Sequence, residues 1–273
     1  MLYLIGLGLA DYEDLSLRSV KIIKKADKVY LEAYTCIIHN TLEELKQFFG
    51  KEIALADRNL LENTQILVEQ AKYQDIVLLV PGTPIFATTH TDLILRCQND
   101  NVTYKIIDNI SIFNVIGHFG LFSYNFGRTV SIPFFTDTFK PYSIYDKIKL
   151  NIDCNLHTLC LLDIKINRDY YNNQNEFSFD PDNKTKNIFM NANTAIKILM
   201  DCEKHTKYNI LTENKKIFVI CRFGHPTQQI FYDTIQNLLK KDFNGPLHSL
   251  IIPGPMEVVE KEHTENFFVQ NKK

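Results

Sequence analysis

Five consecutive apolar residues, Ile76 to Val80 (IVLLV), run straight into Pro81-Gly82, and this break constrains the fold more than any other stretch. A strand that is apolar on both faces belongs inside a parallel sheet covered on two sides. Gly82 has no Cβ and admits unusual backbone angles, while Pro84 biases Thr83 towards an extended conformation. A helical pattern resumes near Thr89, with Thr89 and Asp92 spaced as a capping box. Loops beyond the carboxyl ends of such strands are where open α/β sheets bind ligands, so LLVPGTPIFATTH (78–90) is a candidate site from its pattern alone.

The rest of residues 1–108 alternates short apolar runs with longer amphipathic ones, the rhythm of a parallel α/β sheet. Strands are expected at Leu2 to Ile5, Val29 to Leu31, Ile76 to Val80 and Tyr104 to Ile107. Helices are expected after an Asp14 cap, after the Thr41/Glu44 capping box, from Leu60 to Lys72 and from Thr89 to Cys97. The segment DNIS (108–111) reads as a boundary, giving two α/β domains, 1–110 and 111–273. In the second, strands are expected at Thr129 to Ile132, Thr158 to Ile164, Ile217 to Cys221 and Leu247 to Ile252. Helices are expected at Ile144 to Leu150, Ala192 to Glu203 and Gln228 to Leu239. An asparagine-rich surface loop occupies 167–193, and a polar tail that frays follows Glu260.

At 273 residues and 45% hydrophobic, the chain can bury a sizeable core, and a net charge of -2 argues against binding nucleic acid through bulk charge. No apolar run reaches the length of a membrane span, and the amino terminus lacks a basic leader. Cys36, Cys97, Cys154, Cys160, Cys202 and Cys221 are scattered without a C-x-x-C pair. They read as reduced core thiols of a cytoplasmic protein, and no metal-ligand cluster is expected.

The turn GLGLA (6–10) supplies half of a dinucleotide fingerprint, and Glu32 at the end of the second strand is placed like a ribose-binding acid. The third glycine position holds Asp11, which suits a cationic or zwitterionic ligand better than a pyrophosphate.

MLYLIGLGL, VYLEAYT (29–35), G-x-P-x-x-ATTH (82–90), NISI (109–112), HTLCLLDIK (157–165) and PLHSLII (246–252) together resemble the diphthine methyl ester synthase family. The resemblance implies the tetrapyrrole methylase-like architecture, two α/β domains with a cofactor cleft between them. It also implies an S-adenosyl-L-methionine-dependent methyltransferase of diphthamide biosynthesis. The substrate implied is the modified histidine (3-amino-3-carboxypropyl-histidine) of translation elongation factor 2, taken to diphthine methyl ester by a homodimeric enzyme. Carried over residue by residue, it places cofactor contacts at Leu9, Thr83, Phe86, Ser111, Ile112, Leu162, Phe223 and His248. From the residues themselves, Leu9 and Leu162 equally suit core positions, Ser111 suits a helix cap, and His248 and His90 suit structural roles. Asp163, Asp137 and His225 are candidates for a general base, none of them assigned. Ala10 stands where the family pattern has glycine, Thr83 where it has aspartate and Phe86 where it has glycine. Two other readings stand beside it: a relative that docks on the elongation factor without methylating it, and a small-molecule methyltransferase of the tetrapyrrole type, which shares the fold but lacks support from ATTH and HTLCLLDIK.

Overall fold

A computed structural model of the chain describes residues 1–114, 116–166, 177–179, 181 and 186–270. The chain divides into two compact units, the first Met1–Phe113 with Lys165–Phe177 and Thr185–Asn187, the second Asn114–Ile164 with Ser178–Lys184 and Ile188–Lys273. Much of the expected 167–193 loop lies outside the described residues.

In the first unit the order is β1 (Leu2–Gly6), α1 (Leu17–Lys25), β2 (Lys28–Glu32), α2 (Leu42–Phe49), β3 (Ile53–Ala56), α3 (Arg58–Asn63), α4 (Ile66–Ala71), β4 (Ile76–Val80), α5 (His90–Asn99) and β5 (Tyr104–Ile107). The strands form one parallel sheet in the order β3-β2-β4-β1-β5. Every residue of β4 is buried, as its unbroken apolar run requires of a central strand. Leu2, Leu4 and Leu78 pack with Leu67, Leu93 and Cys97 into one core.

Four local expectations meet different outcomes. The Thr41/Glu44 capping box forms in both directions, and Gly50 closes α2 in the left-handed region. Asp14 does not cap α1; Ser16 does, accepting from the Ser19 amide at 3.1 Å. Thr89 makes no cap bond, because its hydroxyl bonds the Tyr34 hydroxyl at 3.0 Å and the Glu62 carboxylate at 2.9 Å. The helix expected from Leu60 to Lys72 is split in two, and the Arg96 guanidinium fills the break by donating to the carbonyls of Leu61 and Thr64. Strand β3, with its exposed Ala54, escaped the hydrophobic pattern altogether.

The second unit contains β6 (Val130–Ile132), α6 (Ser143–Asp153), β7 (Thr158–Leu162), β8 (Ile164–Lys165), β9 (Phe177–Ser178), β10 (Asn187–Phe189), α7 (Ala192–Thr206), β11 (Lys216–Cys221), β12 (Gln229–Thr234), α8 (Ile235–Leu238), β13 (His248–Ile252) and α9 (Val258–Gln270), some of these short strands reaching its boundary. Its main sheet runs β12-β11-β13-β7-β6, antiparallel except for the β6–β7 pair. The helix expected over Gln228 to Leu239 is a strand followed by a single helical turn. Ile230, Phe231 and Tyr232 suit a pleated surface, and Tyr232 stacks on its cross-strand partner Phe218 at 4.3 Å. The tail expected to fray is helix α9, which buries Glu260 and Thr264 completely. The two side chains it buries completely are polar, and its aromatic contacts, Phe267 and Phe268, are confined to its last turns, so apolar periodicity gave no sign of it.

Candidate functional site

From the neighbouring strands β1 and β4 the chain leaves in opposite directions across the sheet, β1 towards β2 and β4 towards β5. The carboxyl ends of strands where the connections reverse direction are where open α/β sheets bind ligands. Here the loops after β1 and β4 meet backbone to backbone. The Gly8 amide donates to the Gly82 carbonyl at 3.0 Å and the Gly82 amide to the Gly8 carbonyl at 2.7 Å. A Cβ on Gly6 would lie 2.6 Å from the Gly82 oxygen, and one on Gly8, at φ +91°, would lie 2.3 Å from the Asp14 Cβ. The two glycines of GLGLA are thus required by this close approach.

Past Gly8, the amides of Leu9 and Ala10 both donate to Asp14 Oδ2, at 2.8 and 2.9 Å. A pyrophosphate would need such amides, and here a carboxylate of the protein already holds them. Glu32, the proposed ribose acid, is fully buried and has no surface to offer a sugar. The dinucleotide interpretation of GLGLA fails on both counts.

The segment after β5 packs onto the same loops. The Asn109 side-chain amide donates to the carbonyls of Gly6 at 3.0 Å and Asp14 at 3.1 Å. The buried Thr83 hydroxyl accepts from the Asn109 backbone amide at 3.2 Å and donates to Asp108 Oδ1 at 3.4 Å. Ser111 is buried, with its Cβ 3.7 Å from where a Gly82 side chain would begin, and its hydroxyl accepts from the Phe113 amide at 3.3 Å. It therefore supports the short 3-10 turn Ile112–Asn114, the capping role its residue type suggests. Between Gly82 and α5 the loop holds Ile85 at φ 71° and Ala87 at φ 52°, a conformation costly for residues with a Cβ. Phe86 lies half exposed between them, with its ring 4.0 Å from that of Phe113.

At the other end of this loop, His90 Nε2 stands 3.6 Å from Glu32 Oε2, both side chains being essentially inaccessible. Glu32 Oε1 accepts from the Thr35 amide at 2.7 Å, but Oε2 and both His90 nitrogens lack a hydrogen-bond partner. Burial raises the Glu32 pKa to about 7 and lowers that of His90 to about 4.

The structure thus brings Leu9, Thr83, Ser111 and Ile112 onto adjoining loops of the first unit, with Phe86 against Phe113. In the second unit, Leu162 ends β7 against the core. Phe223 meets His118 edge-on at 5.3 Å. His248 accepts from the Ala192 amide through Nδ1 at 3.2 Å and bonds the Gly245 carbonyl through Nε2 at 3.0 Å, and burial lowers its pKa to about 4. Its ring is neutral and committed to backbone partners. Among the candidate bases, Asp163 accepts from the Phe134 amide at 3.2 Å, and the His225 ring bonds the Thr227 hydroxyl at 2.7 Å. Asp137 is exposed. Residue patterns missed Asp108 and Asn109 as a pair with Thr83. They also misread Asp14, whose spacing resembles a helix cap. No cluster of metal-binding side chains occurs among the described residues.

The chain is similar to known proteins over most of its length. The family model for tetrapyrrole (corrin/porphyrin) methylases matches residues 1–239, which defines the class. A diphthine methyl ester synthase of Dictyostelium discoideum is 39% identical over 99% of this chain and 99% of its own length. The Schizosaccharomyces pombe diphthine methyl ester synthase is also 39% identical, over 93% of this chain and 89% of its own. A solved chain from Entamoeba histolytica assigned as a diphthine synthase superposes with a TM-score of 0.85 at 36% identity, covering 98% of both chains. The chain belongs to the diphthine methyl ester synthase family, the methyltransferases of diphthamide biosynthesis. These relatives do not favour the non-catalytic or the small-molecule alternative.

Proposed function

We propose that the protein uses S-adenosyl-L-methionine to methylate the modified histidine of translation elongation factor 2, yielding diphthine methyl ester. The observation that carries the cofactor assignment is the meeting of the loops after β1, β4 and β5 at the carboxyl ends of the strands. Their amides face Asp14 and their edge bears Asp108, a setting that suits a cation and repels a phosphate. Gly82, at φ +75°, has among the described residues only Ser111 near the place a side chain would occupy, which leaves room for a ligand beside its backbone.

The cofactor supplies the activated methyl group and its own leaving group. The chain's residues bind, orient and exclude water. Leu9, Thr83 and Ser111 with Ile112 line the loops after β1, β4 and β5, and the Phe86–Phe113 ring pair provides an apolar wall. Leu162, Phe223 and His248 are assigned as further contacts on the resemblance. His248 serves there through its backbone or ring carbons, since both nitrogens are engaged. A homodimer in the cytoplasm completes the proposal.

Labelled cofactor incubated with elongation factor 2 carrying the unmethylated intermediate should transfer several methyl groups, read by mass spectrometry of the histidine peptide. Absence of transfer at saturating cofactor would contradict the proposal. Light scattering on the purified chain reports whether it is a dimer.

A further inference from the structure

A cationic cofactor held by these loops needs a nearby negative charge, yet residue 83, beside the Gly8–Gly82 contact, is a threonine. The acids on the surrounding loops differ in what already occupies them. Asp14 Oδ2 is committed to the amides of Leu9 and Ala10, and Asp11 Oδ1 accepts from the Glu13 amide at 2.8 Å. Glu13 is exposed on the 3-10 turn Tyr12–Asp14. Asp108, in contrast, is reached by the Thr83 hydroxyl at 3.4 Å through Oδ1 and is otherwise exposed.

Its position is fixed from both sides. The Thr83 hydroxyl accepts the Asn109 amide, which turns its proton towards Asp108. Asn109 is itself anchored to the Gly6 and Asp14 carbonyls, and its Oδ1 accepts from the Ile110 amide at 2.8 Å. A carboxylate on so anchored a backbone is preorganised, and its second oxygen is available to a ligand.

We infer that Asp108 is the carboxylate that binds a positive charge of the cofactor in this protein, with Thr83 as its positioning residue. The inference rests on the cofactor assignment made above. The charge absent from residue 83 is carried across the hydrogen bond at the end of β5, on the far side of β1. An exposed carboxylate is weak in open water, but a bound ligand excludes solvent from it and strengthens the attraction.

Calorimetric titration of the full chain with S-adenosylmethionine and S-adenosylhomocysteine tests this directly. Asp108→Asn, at an exposed position, should leave the melting temperature unchanged and weaken binding of S-adenosylmethionine about tenfold, with a flatter salt dependence. Adding Thr83→Asp to that variant should recover affinity to within about threefold by returning the charge to the other side of the bond. Unchanged affinity in Asp108→Asn overturns the inference, and so does failure of the double variant to recover. If the unaltered protein binds neither ligand, the cofactor assignment itself fails and the inference falls with it.

Discussion

Each unit of this chain buries one histidine beside one glutamate, and the two pairs have been built to opposite specifications. In the second unit, His157 Nε2 lies 2.9 Å from Glu260 Oε1 and its Nδ1 accepts from the Gly254 amide at 3.0 Å. Glu260 also accepts from the amides of Phe122 at 2.8 Å and Glu257 at 2.9 Å. Burial alone would raise the Glu260 pKa, but these donors outweigh it and hold the carboxyl below its usual range. In the first unit the Glu32–His90 contact is 3.6 Å, one carboxylate oxygen and both ring nitrogens lack partners, and burial wins. A satisfied buried pair fixes structure, whereas this unsatisfied one leaves polar atoms uncompensated at the carboxyl end of the parallel sheet. Glu32 ends β2 beside β4, and His90 begins the helix that closes the 81–89 loop, so the loose pair sits at the base of the candidate site.

Removing the tight pair should have the largest effect. Glu260→Ala strands the His157 ring and two backbone amides in the interior, at a cost of about 3–5 kcal/mol by urea unfolding. A loss under about 1 kcal/mol would show that the contrast between the pairs has no energetic content.

The loose pair should show itself through pH. Between pH 4.5 and 6.5 the folded pair carries one proton on Glu32, with its pKa about 7, while His90 stays neutral down to about 4. The unfolded chain also carries one proton there, on histidine, because its carboxylate has titrated at 4.5 and its imidazole has not yet done so at 6.5. Proton counts match, so the pair adds no pH dependence to stability across that window. Glu32→Gln leaves His90 alone. The unfolded state then binds the extra proton, and stability falls as pH drops from 6.5 towards 4, by up to about 3 kcal/mol relative to the unaltered protein. Parallel pH profiles for the two proteins would remove the proton-sharing account. A smaller loss, about 1 kcal/mol, is expected for Thr89→Ala, which deletes the bonds to Tyr34 and Glu62 that brace the same loop. Equilibrium unfolding at pH 7 measures it, and no change would mean that the bracing contributes nothing.

The same contrast explains what the sequence made legible. Four of the five strands of the first unit's parallel sheet were readable from short apolar runs, Ile76–Val80 above all, whereas β3 was not. The α9 helix was not, since Glu260 and Thr264 bury polar groups whose partners, Phe122, His157 and Phe119, lie far away in sequence. Strand β12 was misjudged because cross-strand stacking on Phe218 decides its conformation, and no local pattern encodes that partner. At the candidate site, GLGLA and GTP mark two loops that meet backbone to backbone. Their glycines turned out to serve a backbone contact, and the roles of Asp14 and Asp108 became visible only once three loops were brought together.

The central claim is that the loops after β1, β4 and β5 hold the cofactor. Hydrogen exchange of the protein with and without saturating S-adenosylhomocysteine, followed by peptide mass spectrometry, tests it most directly. The account predicts added protection in the first unit over residues 8–11, 82–87 and 108–113. Protection elsewhere with those three segments unchanged would contradict it.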